Sequence, residues 1–270
     1  VVIEEPPLPQ PHVPRQGPHL LRLSAKTSSA LDSMAARLAS HLEAHPSLDL
    51  ADVAHTLRVG RSTFNHRLCV VAESMTDAIA ALRDGNHRYR SSRRLPASQP
   101  GVVMVFPGQG SQYAGMGSAL YEADPSFRDA FDECGAAMSP VLGFDLRDAV
   151  FSGPSESLAE TRLTQPATFA IEYALARLWL ARGVKPVALI GHSIGEFVAA
   201  VLAGVMSLRD AAVLIVKRGQ LMQSLPAGSM LSVRLPASEL QSLLPAGVDL
   251  AAETGPQACV VAGPAGLDDE

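Results

Sequence analysis

The 270-residue chain has little cysteine, little aromatic content and little charge. Its three cysteines, Cys69, Cys134 and Cys259, lie far apart and form no CxxC pair. That excludes a disulfide framework and a cysteine-based zinc centre, so no metal site is expected, and it fits a reducing, cytoplasmic setting. Charged residues make up 18% of the chain, and the formal net charge of −5 is too small and of the wrong sign for nucleic acid as a partner. The start of the chain is acidic and proline-rich and carries no signal-peptide pattern. A long uninterrupted apolar run is missing too. The best candidate, Val184 to Met206, is broken by Lys185, Pro186, His192, Gly195 and Glu196. It reads as a buried strand followed by a buried helix, not as a membrane span. Histidine is lopsided: seven of eight precede residue 101, and the eighth is His192.

What is present is a globular composition, 47% hydrophobic, at a length suited to one large or two medium domains. Residues 1–18 hold six prolines and read as an extended tether. Residues 19–96 carry a small α+β pattern in the order βααβα. "HLLRLSAK" and "HRLCVVAES" are its strands. Ser28 is placed as the cap of a helix with Leu31, Met34, Leu38 and Leu42 on one stripe. A second helix stops near Gly60, and a third runs from Ser74 to about Gly85. The segment 86–100, with Arg88, Arg90, Arg93 and Arg94, reads as a solvated linker. A docking surface for an acidic partner is its alternative.

From Gly101 strands and helices alternate. "GVVMVF" and "VALIG" are strands, and helical patterns cover Ser126–Met138, Pro166–Ala181, Ile194–Ala203 and Leu208–Gln223. This predicts a largely parallel α/β sheet over residues 97–228. Residues 229–270 read strand, helix, strand, strand, the start of a split α+β unit with an unpaired strand edge.

Gly191-His192-Ser193-Ile194-Gly195 matches G-x-S-x-G between an apolar strand and a helix. The glycines allow a sharp turn that exposes the Ser193 hydroxyl at a helix N-terminus. The Ile194 N–H there is a natural oxyanion donor, favoured by the helix dipole. "FPGQGSQ" also ends a strand, so Gln109 or Gly110 can offer a second backbone N–H. An α/β-hydrolase shares G-x-S-x-G, but it needs its histidine after the serine, and none occurs there. His192 is adjacent to the serine and reads as structural or substrate-contacting. In the following helix Arg218 has Leu214, Ile215, Leu221 and Met222 three and four positions away, a costly place for an unpaired guanidinium. Its fork suits a carboxylate. Lys217 is nearly as well flanked, and periodicity does not choose between the two.

"VFPGQGSQYAGMG", "LTQPATFAIEYAL", "GHSIGEFVAA" and "RGQLMQ", in this order, resemble the acyltransferase domain of modular type I polyketide synthases. The malonyl-CoA:acyl-carrier-protein transacylases are their relatives. "LSAKTSSAL" and "LADVAHTLRVGRSTFNHRLCVVA" resemble the linker domain between ketosynthase and acyltransferase. "VVIEEPP" resembles the end of a ketosynthase. The resemblance implies an α/β fold: a parallel-sheet acyltransferase core with an inserted ferredoxin-like small subdomain, preceded by a small α+β linker domain. It places the tether at 1–18, the linker domain at 19–96, the first part of the large subdomain at 97–228 and an incomplete small subdomain at 229–270.

The resemblance also assigns roles. Ser193 is the acylated nucleophile, Gln109 and Ile194 give the oxyanion donors, and Gln165 lines the pocket. Arg218 binds the free carboxylate of the extender, and His192 joins the substrate site. No cofactor is bound covalently. The substrate is malonyl-CoA, and the acceptor is the phosphopantetheine of an acyl carrier protein. Partners are that carrier protein and the neighbouring ketosynthase, with no membrane. Ile194 after the serine and "ETRLTQ" resemble malonyl-selective domains. The family's base is a histidine downstream of the serine, so the chain is expected to be incomplete and a poor catalyst alone. A non-catalytic scaffold fragment is the alternative reading. Thr254 stands where the family usually has asparagine.

Overall fold

The computed structural model describes residues 17–96 and 101–266. The tether expected over residues 1–18 lies, up to residue 16, outside the described residues. The chain divides into two compact units, residues 1–100 and 101–270.

The first unit runs β1 (His19–Ala25), α1 (Ser28–Ala44), α2 (Leu50–Val59), β2 (His66–Ala72), α3 (Met75–Arg83) and β3 (Arg90–Arg94). Its antiparallel sheet has the order β1-β2-β3. Alternate residues Leu21, Leu23 and Ala25 of β1 and Leu68, Val70 and Ala72 of β2 are buried. They meet Leu31, Ala35, Ala39 and Leu42 of α1, so the period of two on the sheet matches a helical stripe. The cap of α1 is Thr27 rather than Ser28: its hydroxyl accepts the Ala30 N–H at 3.2 Å. Ser74 caps α3 as expected, accepting the Asp77 N–H at 3.1 Å.

The segment read as a solvated linker contains a strand. β3, "RSSRR", pairs with β2 in the register Arg67↔Arg93 and Cys69↔Ser91. An edge strand of polar residues has no alternating apolar signal. What fixes it is side-chain chemistry: the Arg90 guanidinium donates to Ala81 O at 3.2 Å and Leu82 O at 2.6 Å. These carbonyls end α3, where a cation is favoured by the helix dipole and satisfies otherwise orphaned acceptors.

The second unit runs β4 (Val102–Phe106), α4 (Ser118–Ala123), α5 (Pro125–Leu142), α6 (Leu146–Phe151), a 3₁₀ turn (Ser155–Ala159) and α7 (Thr161–Ala181). It continues β5 (Pro186–Gly191), α8 (Ile194–Leu202), α9 (Leu208–Gln223), β6 (Gly228–Val233), α10 (Ala237–Leu240), β7 (Asp249–Gly255) and β8 (Ala258–Pro264). β4 and β5 form a parallel pair, Phe106 opposite Gly191 at its carboxyl end. α7 is buried on every side from Leu163 to Ala174, which marks a central core helix. Phe127 and Phe131 of α5, Phe169 of α7 and Ile215 of α9 fill the core around it. The α/β architecture is thus present, with a parallel sheet.

β6, β7 and β8 form a separate antiparallel sheet in the order β6-β8-β7 over a small cluster of Leu240, Val248, Cys259 and Val261. Thr254, unusual from sequence, closes the β7–β8 hairpin: its hydroxyl donates to Ala258 O at 3.1 Å.

Candidate active site

β4 and β5 deliver two loops to the same end of their sheet. At the end of β5 the backbone turns into α8 through Ser193, whose φ of 52° and ψ of −114° make it the one non-glycine residue with positive φ among the described residues. Such a conformation costs on the order of 1–3 kcal/mol and persists only where its surroundings enforce it. Here they do. A Cβ at Gly191 would overlap the backbone of Gly195 and Glu196, and one at Gly195 would overlap the carbonyls of Phe106 and Pro107. Both glycines of the motif therefore let strand, helix and neighbouring loop approach closely enough to force the turn. Ile194 begins α8 and is fully buried, so its N–H is one of the first-turn donors without an intrahelical acceptor.

The loop after β4 lies against this turn. The His192 N–H donates to Phe106 O at 3.0 Å, extending the β4–β5 ladder. A Cβ at Gly108 would come within 2.7 Å of His192 Nδ1, so the imidazole rests on the loop backbone. The Gly110 N–H is taken by Gln112 Oε1 at 2.8 Å. Of the two loop donors considered from sequence, Gln109 remains. Its side chain reaches away, donating to Thr161 Oγ1 at 3.3 Å.

α9 packs on α7 and brings the charge. Arg218 donates to Gln165 Oε1 at 2.6 Å and to Ser193 Oγ at 3.3 Å. Gln165 is almost fully buried, and its amide also points at Met222 Sδ, 3.1 Å away. Among the described residues Arg218 has no carboxylate partner. A half-buried guanidinium with five N–H donors, only two of them committed here, is a site for an anion beside the serine. Lys217 is exposed, so geometry resolves the choice that periodicity left open. The apolar flanks are less enclosed than their sequence suggested: Ile215 is buried, but Leu214, Leu221 and Met222 are exposed.

Comparison with known proteins fits this geometry. Residues 103–267 match the family "Acyl transferase domain", and residues 19–82 match "CurL-like, PKS C-terminal". The chain belongs to the acyltransferase domains of modular type I polyketide synthases. Mycoketide-CoA synthase of Mycobacterium tuberculosis is 44% identical over 245 residues, 89% of this chain and 6% of that protein. A phenolphthiocerol/phthiocerol polyketide synthase polypeptide from the same species is 38% identical over 282 residues, covering 98% of this chain and 19% of that one. The solved acyltransferase domain of ZmaA aligns with a TM-score of 0.85 at 40% identity, over 93% of this chain and 60% of its own. That of SpnD, in complex with 2-(pent-4-yn-1-yl)malonyl, aligns at 0.83 and 41% identity, also over 93% and 60%. The chain thus spans a small part of the curated synthases and about three-fifths of the solved acyltransferase domains.

Within the acyltransferase unit, sequence reasoning gave no site role to three residues. Gln112 braces the loop after β4, its amide also reaching Leu158 O at 3.5 Å. Met222 backs Gln165 one turn beyond Arg218. Glu172 lies in α7 with 7% of its surface exposed and no hydrogen-bond partner for either carboxyl oxygen among the described residues. Burial pushes its pKa up to about 8. The signal was available: Glu172 is the one acid in "PATFAIEYALA", an otherwise apolar run. The described residues hold no metal-binding cluster and no helix long and apolar enough to cross a membrane.

Proposed function

We propose that this acyltransferase loads a malonyl extender from CoA onto the phosphopantetheine thiol of an acyl carrier protein through an ester on Ser193. Ser193 Oγ attacks the thioester carbonyl and loses its proton to a base. The C–S bond breaks, and the CoA thiolate takes up a proton and leaves. The carrier thiol then attacks the Ser193 ester, the C–O bond breaks, and Oγ regains its proton. The N–H groups of Ile194 and Gln109 face the oxyanion in both halves.

The observation that carries the extender class is Arg218, a guanidinium hydrogen-bonded to the nucleophile and lacking a carboxylate of the chain's own among the described residues. It is placed to take the free carboxylate of a malonyl group, with Gln165 fixing its fork from behind. The malonyl-type ligand in the related SpnD domain agrees with a carboxylated acyl group. Ile194, fully buried under the turn, and "ETRLTQ" are the features that favour malonyl over a branched extender. His192 is the sole histidine of residues 101–270, and the hydrogen-bond partner of Ser193 Oγ among the described residues is Arg218. We therefore assign the base to the rest of the acyltransferase domain, and Arg218 and the backbone donors to binding and polarisation. Residues 19–96 serve as the linker to the ketosynthase, a reading that the match over residues 19–82 supports.

Intact-mass spectrometry of a complete acyltransferase domain containing these residues, after incubation with malonyl-CoA, tests this. An adduct on Ser193 is expected, absent in Ser193→Ala. Arg218→Ala is expected to lose preference for malonyl-CoA over acetyl-CoA. Labelling that survives Ser193→Ala, or a preference unchanged in Arg218→Ala, overturns the assignment.

A further inference from the structure

Thr161 opens α7 one helical turn before Gln165, so the two side chains share a face. Gln165 accepts from Arg218, which in turn donates to Ser193 Oγ. Thr161 meets the other half of the site: its Oγ1 accepts from Gln109 Nε2 at 3.3 Å. A second side chain of the loop after β4 lands beside it. Gln112 accepts the Gly110 N–H at 2.8 Å and donates to Leu158 O at 3.5 Å. Two glutamines of one loop thus cross to one short segment, residues 158–161.

That segment is itself held in place. The buried Thr164 hydroxyl shares its proton between Leu158 O at 2.6 Å and Glu160 O at 3.0 Å. Glu160, which precedes α7, makes no side-chain cap. The Arg162 N–H, one of the donors left over at a helix start, is taken by Gln223 Oε1 of α9 at 3.4 Å. At Gly219 the two helices touch: an added Cβ would lie 3.1 Å from Thr161 O and 3.2 Å from Arg162 Cα. Gly219 directly follows Arg218, so α9 sits on the first turn of α7 where the guanidinium departs.

These contacts close a circuit. It runs from Ser193 through Arg218 and Gln165 to the first turn of α7. From there it passes through Thr161 to Gln109, and back along Gly108, packed on His192, to Ser193. The Thr161–Gln109 bond is exposed, so water competes for both partners and the bond adds little to stability. What it restrains is the Gln109 backbone beside Ser193.

We propose that Thr161 is a positioning residue for acyl transfer. It anchors the loop after β4 to the helix that carries Gln165, so the Gln109 N–H and the Arg218 guanidinium are both held against Ser193 from the start of α7. The inference rests on the oxyanion role proposed above for Gln109. An oxyanion forms whatever the acyl group, whereas Arg218 acts on carboxylated ones. Thr161 therefore sets rate, and Arg218 sets choice.

The test follows Ser193 adduct formation in a complete acyltransferase domain containing these residues, with malonyl-CoA and with acetyl-CoA. Thr161→Val keeps the shape and removes the acceptor. It is expected to slow the saturated rate roughly three- to tenfold with both thioesters, at an unchanged half-saturating concentration. Thr161→Ser should restore the rate to within about twofold of the parent. Gln109→Leu, which keeps the backbone N–H, should match Thr161→Val, and the double variant should be no slower than either single one, since each removes the same bond. Amide exchange over residues 108–112 should quicken severalfold in Thr161→Val and stay at the parent rate in Thr161→Ser. A Thr161→Val domain as fast as the parent, a loss confined to malonyl-CoA, or losses that multiply in the double variant overturns the positioning role. Exchange over residues 108–112 is read without any substrate. If it is unchanged in Thr161→Val, the anchor itself is overturned, whereas a parent that forms no Ser193 adduct overturns the proposed function.

Discussion

Ser193 and Glu172 hold unfavourable states for different reasons. The Ser193 strain is imposed by backbone packed on backbone, with no side chain able to move aside at Gly195. Gly195→Ala is therefore expected to be among the most damaging single substitutions in the second unit, more so than removal of the Ser193 hydroxyl. Thermal unfolding should show a drop of several degrees for Gly195→Ala and little change for Ser193→Ala. Arg218→Lys keeps the charge but loses the fork that spans Gln165 and Ser193. In a complete acyltransferase domain it is expected to slow acylation by malonyl-CoA tenfold or more, measured as the rate of Ser193 adduct formation. Glu172 gives a pH prediction. Burial raises its folded pKa from the ordinary 4.5 to about 8. Between those values the folded state keeps a proton that the unfolded state releases. Stability falls as pH rises through that window, by up to about 1.4 kcal/mol per unit, and flattens above it. Denaturant unfolding from pH 5 to 8 should show this slope for the parent and lose most of it in Glu172→Leu.

Elements differ in how openly the sequence declares them. β1, β2, β4 and β5 carry apolar residues in strand-length runs between turn signals. α1, α5, α7 and α9 carry stripes or fully apolar faces, and these were legible. β3 was not, because an edge strand of arginine and serine buries nothing that a pattern can show. Its evidence is the Arg90 bond pair to the end of α3. Arg90→Ala is expected to destabilise the first unit by about 1.5–3 kcal/mol, the range for hydrogen bonds to a charged group. Arg94→Ala, on the same strand and exposed, should stay within about 0.5 kcal/mol. Equal effects in denaturant unfolding would mean that β3 is held by its ladder alone. α4 and α6, six residues each, were missed for a related reason: two turns are too short for a stripe to repeat. The site divides likewise. G-x-S-x-G announces its own turn because the glycines are a local requirement. The meeting of Ser193 with Arg218 is a product of α9 packing on α7, and no local spacing encodes it. Resemblance, not periodicity, separated Arg218 from Lys217.

At the scale of the whole chain the hydrophobic core is discontinuous. The cluster built on Leu21, Leu31 and Leu68 shares no residue with the one built on Phe131, Phe169 and Ile215. Cores that share no side chain have separate sources of stability, and distant sites behave additively. Leu31 is fully buried on α1, so Leu31→Ala is expected to cost the first unit about 2–5 kcal/mol. For a unit of about a hundred residues that is a large share of its stability. Two probes separate the units. Far-ultraviolet circular dichroism follows both, whereas fluorescence excited at the indole band reports Trp179 and hence the second unit alone. In Leu31→Ala the dichroism transition should move to lower temperature or split, while the Trp179 transition stays where it was. If the two transitions move together, the units unfold as one, and the linker-like first unit is a stabilising part of the acyltransferase rather than a separately folded neighbour. Unmoved Trp179 fluorescence would show that the fold holding Ser193 and Arg218 draws its stability from residues 101–270, independently of the first unit.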